Sequence, residues 1–209
     1  MTKNLATTSF VRMTLQQGGL MADNLTEKCR TDGETLPRET VQAVLKEEGQ
    51  ALAEEQFNCL RARVERRAKM ISRKAVVDYT RPPRQALDAT GRVVWYCDKL
   101  TLESAPKTGK DKVEVEGWFF DLDYDPTPTE LAREYELRSL RPDFWWQCAV
   151  NEADQAFADE RPNGVQWGLD KDGVASFATF NRYSDKRVVG VDRYGGQWGR
   201  LCRFGGVRK

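Results

Sequence analysis

Between Arg38 and Tyr79 the chain carries its longest unbroken hydrophobic period. Val41, Leu45, Leu52, Ala53, Phe57, Leu60, Val64, Ala68, Ile71 and Ala75 recur mostly at steps of three and four, which traces one face of an α-helix. The polar face changes sign along its length. Glu47, Glu48, Glu54 and Glu55 come first, then Arg61, Arg63, Arg66, Arg67, Lys69, Arg73 and Lys74. The pattern predicts a helical arm over 35–80 with a basic second half. It begins at Leu36-Pro37 with Thr35 near the N-cap and ends at the stiff connector Arg81-Pro82-Pro83-Arg84. Gly49 is its weak point, at roughly 1 kcal/mol against alanine. Unbroken, the helix would be about 60 Å long at 1.5 Å per residue, which calls for a partner helix and predicts self-association through it.

A chain of 209 residues, 40% apolar and 31% charged, has globular proportions and can bury a core without disulfides. The net charge is only +1, so attraction for a polyanion must be local. Arg61–Arg84 holds 9 basic and 2 acidic residues, Gln85–Glu160 holds 8 and 17, and Arg161–Lys209 holds 10 and 4. The near-neutral total hides an alternation of basic, acidic and basic segments. Five separated cysteines, Cys29, Cys59, Cys97, Cys148 and Cys202, fit neither a disulfide framework nor paired zinc spacings and point to a reducing cytoplasm, a host's if the chain is phage-encoded. No apolar run approaches the roughly 18–20 residues that span a bilayer. The chain has no histidine. That removes Ser-His-Asp and Cys-His catalysis, His-ligated zinc and every histidine base.

Read in order, 1–34 is a weakly structured leader in which Met21-Ala-Asp-Asn24 resembles a second start, with Asp32-Gly33 as a turn. Residues 84–209 form an α+β domain. Asp88-Ala-Thr-Gly91 is a turn into the strand Arg92–Cys97 with Lys99–Leu102, which pairs with Lys112–Phe120 as a central β-hairpin. Thr127-Pro-Thr-Glu130 is a capping box for a helix to about Leu140. Pro142 opens a second helix with Trp145, Trp146, Ala149, Val150, Ala153 and Phe157 on its apolar side, stopped by Arg161-Pro-Asn-Gly164. A C-terminal antiparallel β-meander fills 165–205, with strands Val165–Leu169, Val174–Asn181, Arg187–Arg193 and Gln197–Phe204. Phe177 and Phe180 lie three apart, so a regular strand cannot point both at one core.

Two features point to nucleic acid, single- or double-stranded DNA or RNA. Arg61, Arg63, Arg66, Arg67, Arg73 and Lys74 on one helix could neutralise phosphates. In the meander, Phe177, Phe180, Tyr183, Tyr194, Trp198 and Phe204 interleave with Arg182, Arg187, Arg193, Arg200 and Arg203, the composition of a base-stacking sheet. Binding through these patches predicts log affinity falling with log salt at a slope of roughly −4 or steeper. The plain alternative is that the cations pair with the chain's own acidic middle and the aromatics fill a core. Asp121, Asp123 and Asp125 after a strand could hold Mg²⁺ for phosphoryl transfer. They match neither an EF-hand nor the aspartate motif of haloacid-dehalogenase phosphatases. Lys107-Thr-Gly-Lys110 lacks the flanking glycine and hydroxyl of an ATP loop. The expectation is therefore a non-enzymatic nucleic-acid-binding accessory protein without a cofactor. The competing class is a protein-interaction module, such as a phage or mobile-element assembly protein or an inhibitor of a host complex. A metal-dependent phosphoryl-transfer enzyme comes third.

Overall fold

The long period resolves into two kinds of element in the computed structural model, which describes residues 15–32 and 37–209. The chain divides into two compact units, Met1–Val64 and Glu65–Lys209. Helix α1 (Leu15–Asp32) occupies ground read as a weakly structured leader. Local pairs support it: Lys28 with Asp32, and Arg30 with Glu27 at 2.7 Å, the spacing at which helix neighbours meet. The Gly33 turn and the Thr35 cap lie outside the described residues. Helix α2 (Arg38–Ala68) runs unbroken through Gly49. At 31 residues it is about 46 Å long.

The expected arm to residue 80 stops short, and β1 (Ile71–Asp78) takes over. Ala75 and Val77 point inward while Lys74 and Val76 point out, a period of two. Ile71 and Ala75 fit the helical period as well as the strand, because a spacing of four is one helical step and also two strand pleats. The β-branched Ile71, Val76 and Val77 favour the strand.

Helix α3 (Pro83–Ala89) replaces the stiff connector, with proline in its first turn. Strand β2 (Val93–Cys97) follows, then helix α4 (Lys99–Glu103) in place of a continued strand. Asp98 caps α4 by accepting the Thr101 N–H at 2.7 Å. Strand β3 is Lys112–Phe120. The expected hairpin of β2 with β3 does not form, because α4 lifts the chain off the sheet. β3 instead pairs antiparallel with β1. Helix α5 (Pro128–Leu137) has the expected capping box: Glu130 N–H donates to Thr127 Oγ1 at 3.2 Å, and Thr127 N–H to the Glu130 carboxylate at 2.8 Å. Pro142 closes a short strand, β4 (Leu140–Pro142), and Asp143 caps α6 (Phe144–Ala153).

Strands β5 (Asn163–Trp167), β6 (Ala175–Tyr183) and β7 (Lys186–Tyr194) form the meander. The fourth predicted strand is displaced to β8 (Arg203–Arg208). Trp198 N–H donates to Pro126 O at 2.8 Å, which holds Gln197–Leu201 over the sheet as a loop. β8 then enters between β3 and β5, parallel to β5. One eight-stranded mixed sheet results, in the order β1-β3-β8-β5-β6-β7-β2, with β4 beside β8. The fold is α+β. β2 lies at one edge, parallel to β7.

Both faces of the sheet bury side chains. Phe119, Trp146, Val165, Phe180, Val189 and Val191 belong to one core with residues of α3, α4 and α6. Phe120, Leu131, Tyr135, Phe177, Trp198 and Phe204 form the other with α5 and the 197–201 loop. This answers the Phe177/Phe180 question: each ring faces its own core.

Candidate nucleic-acid interface

The second core does not extend across the whole sheet. Over β2, β7 and the far end of β6 its face stays open, and aromatic side chains occupy it. The register places Tyr96 opposite Gly190, Gly190 opposite Thr179, and Lys186 opposite Tyr183. Between Val94 and Tyr96 the pairing slips at Trp95. On a regular strand Trp95 and Tyr96 would point to opposite faces. The bulge re-aims them, so that Trp95 meets Tyr183 at 5.0 Å between ring centroids and Tyr96 meets Phe177 at 6.5 Å. Tyr183 and Phe177 share one face of β6, being six residues apart.

The rings continue inward. Trp95 and Tyr96 are 6.3 Å apart, Phe177 touches Tyr194 at 6.3 Å and Trp198 at 5.3 Å, and Trp198 touches Phe204 at 5.3 Å. The outer members stay exposed: Tyr183 at 64%, Trp95 at 57%, Tyr194 at 45% and Tyr96 at 41%. Glycine provides the seats. A Cβ on Gly190 would fall 2.2 Å from Tyr96 Cζ, and one on Gly196 2.3 Å from the Tyr194 hydroxyl. Arg92, almost fully buried, anchors the start of β2. It donates to Asn181 O at 3.0 Å, Asn151 Oδ1 at 3.1 Å and Gln155 O at 2.8 Å. Desolvation pulls its pKa down.

The sequence-predicted cations are placed differently. Arg182 and Arg187 converge on Asp159, at 3.4 and 2.7 Å. The Arg187 hydrogen bond holds the Asp159 carboxyl below its usual range. Arg193 pairs with Asp170, whose pKa is lowered first by the Val174 N–H. Arg203 meets Asp121 at 3.3 Å, and Arg161 meets the same carboxylate at 2.9 Å. Arg200 donates its backbone N–H to Asp125 at 2.6 Å. Trp198 is buried, its indole N–H donating to Gln166 at 3.1 Å. Arg73 stacks on Phe157 at 4.9 Å, with Arg203 on the same ring at 5.2 Å, while Lys74 is exposed on β1. Arg61 lies over Phe57 of its own helix at 5.2 Å. Arg61, Arg63 and Arg67 are exposed on α2 and Arg66 is half-buried.

The fold thus joins Arg182 with Arg187 and Arg73 with Arg203, but does not assemble one basic aromatic face. β1, with Arg73 and Lys74, is the opposite edge strand from β2. The metal alternative lacks a geometry. Among the described residues no three His, Cys, Asp or Glu side chains group to hold an ion, and Asp121 and Asp125 are engaged as above. The sequence pattern marks Trp95 and Tyr96 only as strand residues. Two adjacent aromatics on one strand were the available signal, but the bulge that puts both on one face depends on pairing with a strand some 95 residues later.

Comparison with protein-family models, curated proteins and solved structures finds no match. No helix among the described residues is long and apolar enough to cross a membrane.

Proposed function

We propose that this protein binds single-stranded nucleic acid without catalysing a reaction, stacking bases on Trp95, Tyr96, Tyr183 and Tyr194. The observation that carries this reading is the exposed, mutually packed ring set on an open sheet face. Every base has a π-face, and one base–aromatic stack is worth about 1–3 kcal/mol. Lys186, opposite Tyr183 in the β6–β7 register, supplies nearby charge. With most meander arginines held in internal pairs, only two or three phosphates are neutralised, so the salt slope is about −2 rather than −4.

Trp95 is the one exposed tryptophan among the described residues, so it reports its own contact. Titration with a short single-stranded oligonucleotide is expected to quench the acrylamide-accessible emission and raise the anisotropy of a labelled strand. Trp95→Ala is expected to weaken binding by roughly five- to a hundredfold. No binding at low salt, or unchanged binding by Trp95→Ala, refutes the proposal.

The second reading is a protein-interaction module of the assembly or inhibitor class. The arginine pairing with Asp121, Asp159 and Asp170 favours it, because it removes charge that a polyanion would need. Tyrosine and tryptophan are also the side chains that dominate protein hot spots. An oligonucleotide titration that leaves Trp95 emission unchanged at low salt selects this reading.

A further inference from the structure

We infer that α2 pairs antiparallel with α2 of a second copy of this chain. None of the described side chains of α2 is buried, and Leu45, Val64 and Phe57 remain 60%, 57% and 42% exposed. A helix in water draws most of its stability from packing its apolar side chains, so a 31-residue helix with no buried side chain among those described has apolar surface to give a partner.

The charge order of the helix identifies that partner. Arg38–Gln56 contains Glu39, Glu47, Glu48, Glu54 and Glu55 against two cations. Phe57–Ala68 contains Arg61, Arg63, Arg66 and Arg67 against Glu65 alone. A helix negative in one half and positive in the other is complementary to itself reversed. Parallel pairing would set glutamate on glutamate and arginine on arginine, which costs energy at each contact. The antiparallel pair is a two-fold arrangement in which every contact occurs twice. Val41, Leu45 and Leu52 form one apolar stripe and Phe57, Leu60 and Val64 a second, about 110° further round the helix, so the charge order rather than a single apolar seam sets the pairing. A polyanion would meet only the basic half and be repelled by the other.

Sedimentation equilibrium of the full chain tests this, with circular dichroism to verify retained helix. The wild type is expected to be a dimer at micromolar concentration at low salt and to weaken at about 0.5 M salt, where screening is complete within a few ångströms. E47K/E48K/E54K, or R61E/R63E/R66E, is expected to weaken association by roughly tenfold or more. Combining the two sets leaves the net charge unchanged, reverses the polarity of the helix and restores dimerisation. A monomeric wild type, undiminished association of either triple variant, or a combined variant no better than the triples overturns the inference. No nucleic acid enters the assay, so it stands or falls independently of the aromatic face.

Discussion

Replacing Gly190 with alanine tests whether the seating of Tyr96 matters, and the structure supplies the scale. The new Cβ would lie 2.2 Å from Tyr96 Cζ, where ordinary contact begins at 3.4 Å. The ring must therefore retreat by about 1.2 Å or swing away. Gly190 is not at positive φ, so its backbone accepts alanine and the strain falls on the ring alone. In a closed core such overpacking costs about 1–3 kcal/mol. Tyr96 is 41% exposed on an edge strand and can move into solvent, so the stability loss should stay near the bottom of that range, about 1 kcal/mol. Affinity should suffer more. Displacing one stacking ring removes about 1–3 kcal/mol, roughly five- to a hundredfold in Kd. Urea denaturation and anisotropy with a labelled single strand measure the two separately. In a double-mutant cycle, Tyr96→Ala should add little to Gly190→Ala, since both remove the same ring. Binding within twofold of wild type by Gly190→Ala, or full additivity, would refute the argument.

Other perturbations have expected outcomes. Asp143, fully buried, accepts the Tyr79 hydroxyl at 2.7 Å, the Trp146 N–H at 2.9 Å and the Thr108 hydroxyl. Asp143→Ala orphans these donors and should cost about 3–5 kcal/mol by urea denaturation. Thr127→Ala removes the α5 cap and should cost about 1 kcal/mol. Gly49→Ala places a Cβ in open space and should stabilise α2 by about 1 kcal/mol, read as raised helicity and Tm. The Asp159 pKa is depressed by the Arg187 hydrogen bond. Its stabilisation is present above the unfolded carboxyl value near 4 and is lost as pH falls through the lower folded value. Arg187 is over a third exposed, so solvent screening keeps the gap between wild type and Asp159→Asn small at pH 7; it should close in acid.

What was legible in the sequence was local. The Thr127–Glu130 capping box, the placing of Trp145, Trp146, Ala149 and Val150 on α6 and the β5–β6–β7 turns depend on residues within one turn or hairpin of each other, and they stand where the pattern put them, while α6 stops at Ala153, short of Phe157. What failed depended on distant pairing. Lys99–Leu102 reads as strand until Asp98 is recognised as a cap, and Ile71 with Ala75 satisfies two periods at once. The arginine pairs are a further case. Asp159 with Arg187 and Asp121 with Arg203 join residues 28 and 82 positions apart. Charge totals showed that acidic and basic segments alternate, but not which cation each carboxylate would meet. Trp95 and Tyr96 were visible as residues but not as a surface, because a bulge decides their direction.

The position of β8 also governs how the sheet can be completed in time. Arg203–Arg208 lies between β3 and β5, so everything synthesised earlier can form at most two separate half-sheets, β1-β3 and β5-β6-β7-β2. Until β8 arrives, β3 and β5 each present an open hydrogen-bonding edge, the surface through which unfinished sheets cross-pair between chains. Closure joins strands more than 80 residues apart in sequence, and such non-local closure is slow. The rate-limiting barrier is therefore expected at β8 insertion. Substitutions at Gly205 and Gly206, where an added Cβ would meet Gln147 Oε1 at 2.4 Å and Arg141 O at 2.5 Å, should lower soluble yield more than they alter any surface the finished molecule presents.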